Sequence, residues 1–224
     1  MATDLSTTPT LETGDNLTRA EFLRIWEKLP HIKRAELIGG IVYMPSPQWK
    51  EHSNADRHVS AWLGVYEAFT PGCEGGNNAT SLIGEECMQP DGYLALLPEC
   101  GGKSWGRKYV EGAPELISEI SFSTASIDLH QKLDVYEKAG VQEYLVVLLK
   151  KNKIRWHRLV KGKYQLLRPD AAGVYRSRVF PGLWLDSKAL FMNEPARVLA
   201  KLQEGLESPE HARFVDELAA RRTR

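Results

Sequence analysis

Apolar positions recur at helical spacing near the start of the chain. In residues 17–30, Phe22, Ile25 and Trp26 fall on one face, with Asn16 or Thr18 as opening cap and Pro30 as stop. Residues 45–69 repeat the pattern at Val59, Trp62, Leu63 and Tyr66. Between them, two short strand-like pieces, residues 35–38 and 41–44, flank Gly39-Gly40, a favoured two-residue hairpin turn. A turn-rich loop over 70–79 leads into strands at 80–84 and 87–97, and 98–113 reads as a glycine-rich surface loop. The stretch PELISEIS, 114–121, reads as a short buried strand. Residues 122–140 then read as a helix, with Ser123, Thr124 or Ser126 as caps and Gly140 as stop. Strands follow at 142–149, 153–160 and 163–169, turned by KKN and KGK. The segment FPGLWLDSKALF and two helical stretches close the chain, the last charged and expected at the periphery. This order predicts an α/β (α+β) domain on a mixed sheet, with a disordered arm over 1–16.

Composition narrows the picture mainly by exclusion. The chain has 224 residues and 42% hydrophobic side chains, enough for one sizeable core. Lys plus Arg and Asp plus Glu both number 29, so no global field announces nucleic acid or membrane. Such a partner has to be met by a local patch. Cys73, Cys87 and Cys100 are odd in number and form no C-x-x-C pair, which favours free thiols over a disulfide framework or zinc site. The polar N-terminus lacks the features of a signal peptide, and no apolar run approaches the ~20 residues of a membrane span. A cytoplasmic location is the expectation.

Glu119 raises the first chemical question, because a carboxylate among Leu116, Ile117 and Ile120 is costly unless paired. Strand alternation puts Glu119 on a face with Ile117 and Ser121, and Asp91 on a face with Tyr93 and Ala95. If these strands are neighbours, the two acids converge. In the next helix, Leu129, Leu133 and Tyr136 form an expected core face, with Lys132 beside it and Asp128 one turn before. Two converging carboxylates suit magnesium, which activates water and stabilises charge on phosphate, and a lysine can orient that water. The same spacing also suits hydrogen-bonded structural acids and an ordinary Asp128–Lys132 surface pair. The six histidines show no metal-ligand spacing, so His52 and His58 read as surface or capping residues. No P-loop, dinucleotide fingerprint or nucleophile elbow is present. Residues 150–163 hold Lys150, Lys151, Lys153, Arg155, Arg158, Lys161 and Lys163 without an acid. Lys153, Arg155 and His157 would form a basic row on one strand face, able to track a phosphate backbone or to guard a sheet edge.

With ELIGGIVYMP, then QPDGYLAL, then the block from Glu119 to Tyr144, then FPGLWLD, the chain resembles the Uma-type family of bacterial restriction endonucleases, in the PD-(D/E)XK nuclease superfamily. The resemblance spans about 17–191 and implies a restriction-endonuclease-like mixed central sheet flanked by helices, with an N-terminal helix and hairpin. It leaves 192–224 as a C-terminal helical extension. It implies a Mg2+ or Mn2+ site and DNA as partner, with no membrane, and a homodimer is compatible with cutting two strands. Pro90-Asp91 matches the family's first acid and Glu119 its second. Ser121 stands where a standard motif keeps lysine, and Lys132 matches a lysine displaced to the following helix. Asp128 matches an aspartate one turn earlier, Ile120 would add a backbone carbonyl to the metal, and Glu36 and His52 fall near an upstream acid and histidine. The usual tryptophan and aspartate after Glu143-Tyr144 are missing. The implied activity is metal-dependent endonucleolytic cleavage of DNA by Asp91, Glu119 and Lys132. The alternative is a catalytically inactive module of the same fold that binds nucleic acid or a protein.

Overall fold

The computed structural model describes residues 9–44, 48–122 and 127–223. The proposed caps Ser123, Thr124 and Ser126, and residues 1–8 of the proposed arm, lie outside them. Helix α1 (Arg19–Trp26) opens on a reciprocal capping box between Thr18 and Glu21, which satisfies donors the first turn leaves unpaired. Strands β1 (Glu36–Ile38) and β2 (Ile41–Tyr43) pair antiparallel. Gly39 and Gly40 turn the chain between them at φ 62° and 78°, a region that a β-carbon disfavours. Helix α2 (Lys50–Ala68) buries Val59, Trp62, Leu63 and Tyr66.

Four strands follow: β3 (Cys73–Gly76), β4 (Ser81–Ile83), β5 (Glu86–Met88) and β6 (Gly92–Leu96). The sequence reads 87–97 as one strand, and the structure corrects this. Strands β5 and β6 belong to different sheets. Pro90 sits at the break, where its missing N–H could not have served a ladder. The supposed loop over 98–113 also contains two short strands, β7 (Ser104–Trp105) and β8 (Val110–Gly112). They are too short to show alternation. Then come β9 (Leu116–Ser121), a π-helical turn over Ile127–Gln131, α3 (Lys132–Ala139), β10 (Glu143–Leu148), β11 (Lys153–Val160) and β12 (Lys163–Leu166). The hairpin β13 (Val174–Arg176) and β14 (Trp184–Asp186) precedes α4 (Ser187–Phe191), α5 (Pro195–Leu206) and α6 (Pro209–Arg222).

The architecture is α+β, with mixed sheets flanked by helices. The central sheet runs β12-β11-β10-β9-β6-β3, parallel only between β9 and β10. A second sheet, β2-β1-β5-β4-β8-β7, stands beside it. On one face of the central sheet, Leu94, Leu116, Ile120, Leu145 and Trp156 pack with Trp62 of α2 and with Val198 and Leu202 of α5. On the other face, Tyr93, Ile117, Tyr144 and Val146 pack with Tyr136 of α3 and with Ile38, Ile83 and Met88 of the second sheet. Helix α6, expected at the periphery, sinks Phe214 and Leu218 into the first of these cores. The three cysteines are buried free thiols, and burial pushes Cys73 and Cys87 up to about 12. Among the described residues no helix is long and apolar enough to cross a membrane.

Candidate active site

Strands β6 and β9 pair antiparallel, with Gly92 opposite Ser118 and Tyr93 opposite Ile117. One residue further along that register, Asp91 stands across from Glu119. A β-carbon on Gly92 would lie 2.7 Å from Ser118 Oγ, so glycine lets the strands close up beside the acid. The Ile120 N–H donates to Asp91 Oδ2 at 2.7 Å, which ties the start of β6 to β9. His52, from the first turn of α2, approaches the same oxygen through Nε2 at 3.5 Å.

Helix α3 brings the cation. Lys132 Nζ lies 2.9 Å from Glu119 Oε1, 3.1 Å from Glu36 Oε1 and 4.0 Å from Asp128 Oδ1. Tyr136 donates to Glu119 Oε1 at 3.2 Å. The Gln89 N–H donates to Glu36 Oε1 at 2.8 Å, and Tyr144 donates to the Asp128 carbonyl at 3.0 Å. The buried face of this segment is therefore Asp128, Lys132 and Tyr136, while Leu129 and Leu133 are only half-buried. This corrects the apolar face expected from spacing. A core-facing helix can turn polar residues inward when the sheet below supplies their partners.

Electrostatics at the floor are dominated by burial. Burial raises the Glu119 carboxyl well above the usual range, and Asp91, Asp128 and Glu36 add to this against the opposing pull of Lys132. For Lys132, burial works against the charge, but Glu119, Glu36 and Asp128 outweigh it and hold the ammonium well above its ordinary value. His52 is likewise opposed by burial, and the Asp91 carboxylate, with Asp56 behind it, lifts it above the ordinary imidazole value. Four carboxylates, of Glu36, Asp91, Glu119 and Asp128, thus share one lysine and one histidine.

These side chains line one cavity of about 250 Å³, together with Ile120. It joins Glu36, His52, Asp91, Glu119, Ile120, Asp128 and Lys132 from separate elements. Reading His52 as a surface residue is corrected, since its side chain is 14% exposed and faces Asp91. His58 is buried as well. Among the described residues no three His, Cys, Asp or Glu side chains converge as a ready-made ligand set. Magnesium does not require one, because it binds through one or two carboxylates and keeps several waters. The hard oxygen donors and surplus of buried acid fit such an ion.

The basic segment lies outside the cavity lining. Register places Arg155 in line with Val146 and Glu119, and Lys153 in line with Leu148 and Ser121. Lys153 and Arg155 are therefore on the cavity's side of the sheet, Arg155 about 10 Å from Glu119 at two strand spacings and Lys153 two residues further along. His157 does not extend the row. It is buried between Tyr144 and Tyr164, with ring centroids 6.2 and 5.7 Å away. Lys150 and Lys151 lie in the turn before β11. Residues missed in the sequence also line the cavity: Arg34, Gln89, Trp49 and Phe122. No spacing rule singles them out, because they come from loops and strand ends.

The mixed sheet thus presents two facing acids and a helix-borne lysine at one cavity. The Uma2 family, described as "Putative restriction endonuclease", matches residues 19–188, and the chain belongs to it. It is similar to a crystal structure titled as a putative nuclease belonging to DUF820 from Anabaena variabilis ATCC 29413. The identity is 18% and the TM-score 0.60, over 80% of this chain and 99% of that one. At that identity the likeness speaks for the fold. No curated protein matches the chain.

Proposed function

We propose that this protein is a magnesium-dependent endonuclease that hydrolyses phosphodiester bonds of DNA at the cavity floored by Asp91 and Glu119. The observation that carries the reading is that Asp91 faces Glu119 across β6 and β9, with Lys132 bonded to Glu119. Family membership supports the reaction class.

Asp91 and Glu119 would hold the ion, with the Ile120 carbonyl as an additional oxygen donor. When bound, the ion supplies charge stabilisation on the phosphate and lowers the pKa of a bound water. Lys132, held protonated by the surrounding acids, cannot accept the water's proton. Its role is to orient the water by a donated hydrogen bond and to stabilise charge gathering on the phosphoryl oxygens. A bond forms between the water oxygen and phosphorus, and the bond to the leaving sugar oxygen breaks. The water's proton passes to solvent, and the leaving oxygen regains one. His52 steadies Asp91 from the α2 side.

The test is cleavage of DNA with Mg2+ or Mn2+ by the parent, Asp91→Asn and Glu119→Gln, with circular dichroism to confirm folding. Each variant is expected to lose on the order of a hundredfold or more in rate. Equal rates in all three would remove the assignment. Binding of DNA without cleavage in any form would leave the inactive module.

A further inference from the structure

The mouth of the cavity is aromatic and cationic, unlike its acidic floor. Trp49, just before α2, is 60% exposed. Its ring lies 5.3 Å from that of Phe122, at an interplanar angle of 32°. Lys150 Nζ stands 4.7 Å from the centroid of the Phe122 ring. Both rings line the cavity that holds Asp91 and Glu119. The hydrolytic roles assigned above use none of these three side chains.

A large exposed indole beside a second ring offers flat π surface, on which any nucleobase can stack. The adjacent ammonium supplies charge for the phosphate that joins such a base to its neighbour. Away from its ends a duplex keeps its bases stacked on each other, so its interior has no free base face to lay on this surface. A cavity of about 250 Å³ also suits one nucleotide unit better than a duplex.

We propose that Trp49 and Phe122 form a stacking shelf for an unstacked base next to the scissile phosphate, so that the substrate is single-stranded or locally unpaired DNA. This rests on the nuclease reading and sharpens it by naming the form of DNA that enters.

The experiment measures fluorescence anisotropy of a labelled single strand and of the matching blunt duplex with the full chain in EDTA. The parent is expected to bind the single strand more tightly. Trp49→Ala should weaken single-strand binding roughly tenfold, as loss of one stacked base does, and leave duplex binding unchanged. Phe122→Ala should act in the same direction, and Trp49→Phe should keep most of the affinity. Because Trp49 is exposed, its alanine variant is expected to melt like the parent, which separates contact from folding. The shelf is overturned if Trp49→Ala and Phe122→Ala bind the single strand as the parent does. It is also overturned if the parent binds the duplex at least as tightly, or binds neither DNA. A cleavage assay run alongside keeps the two readings apart. If Asp91→Asn abolishes cleavage while the shelf variants change nothing, the shelf falls and the nuclease stands. If the shelf variants lose binding but no form cleaves, the nuclease falls and the shelf stands.

Discussion

His157 illustrates how far a single residue can depart from its sequence neighbourhood. It sits in a run of basic side chains, yet it is buried, it stacks with Tyr144, and its Nδ1 has no hydrogen-bond partner. Burial lowers its pKa, with Arg155 adding to this while the Tyr144 backbone and Glu137 oppose it. The folded protein therefore resists a proton that the unfolded chain accepts below about 6.5. Stability is accordingly lost as pH falls from near 6.5 toward the folded value, by at most about 1.4 kcal/mol per pH unit for one such group. His52, with its raised pKa, acts in a different window: its contribution is full below about 6.5 and is lost as pH rises above that value. A His157→Phe variant keeps a ring in the stack and isolates one contribution. Its urea midpoint should fall less between pH 7 and 5 than the parent's, and parallel curves would reject this account. Glu119 was the opposite case: an acid inside an apolar strand draws attention from sequence alone, because its cost demands a partner.

At the level of elements, the segment around α3 and helix α5 show what periodicity can and cannot convey. Spacing places a helix after β9 correctly and selects Tyr136 for its buried face, but puts Leu129 and Leu133 beside it, where the structure buries Asp128 and Lys132. Periodicity registers apolar mass, and it is blind to polar groups whose partners come from another strand. Helix α5 has a constraint that no pattern reveals. A β-carbon on Gly205 would lie 2.1 Å from the Gly182 carbonyl oxygen, and the approach is backbone to backbone. Gly205→Ala is therefore expected to cost roughly 1–3 kcal/mol by forcing the helix off the loop, despite alanine's better helix propensity. Thermal unfolding measures it, and a variant as stable as the parent would show that α5 shifts freely.

For the whole molecule, zero net charge leaves DNA binding to local charge. Lys153 and Arg155 share the cavity's side of the sheet, and Lys150 reaches Phe122 at the cavity mouth. If Lys150 and Lys151 meet phosphates, Lys150→Gln with Lys151→Gln should lower the salt slope of single-strand binding by about 1.4, roughly 0.7 per contact. Anisotropy titrations over a range of salt read this directly, and an unchanged slope places the phosphates elsewhere. Sequence alone carries the order of most helices and strands, the turn at Gly39-Gly40, and Asp91 and Glu119 as conspicuous acids of two apolar segments. Those features are local, written in residue type and in periods of 2 and 3.6. Only the tertiary structure decided that Glu36, His52 and Lys132 meet Asp91 and Glu119 in one cavity, and that Trp49 and Phe122 stand at its rim. They lie far apart in the chain, and their meeting depends on strand register and on helices docking from both sides of the sheet.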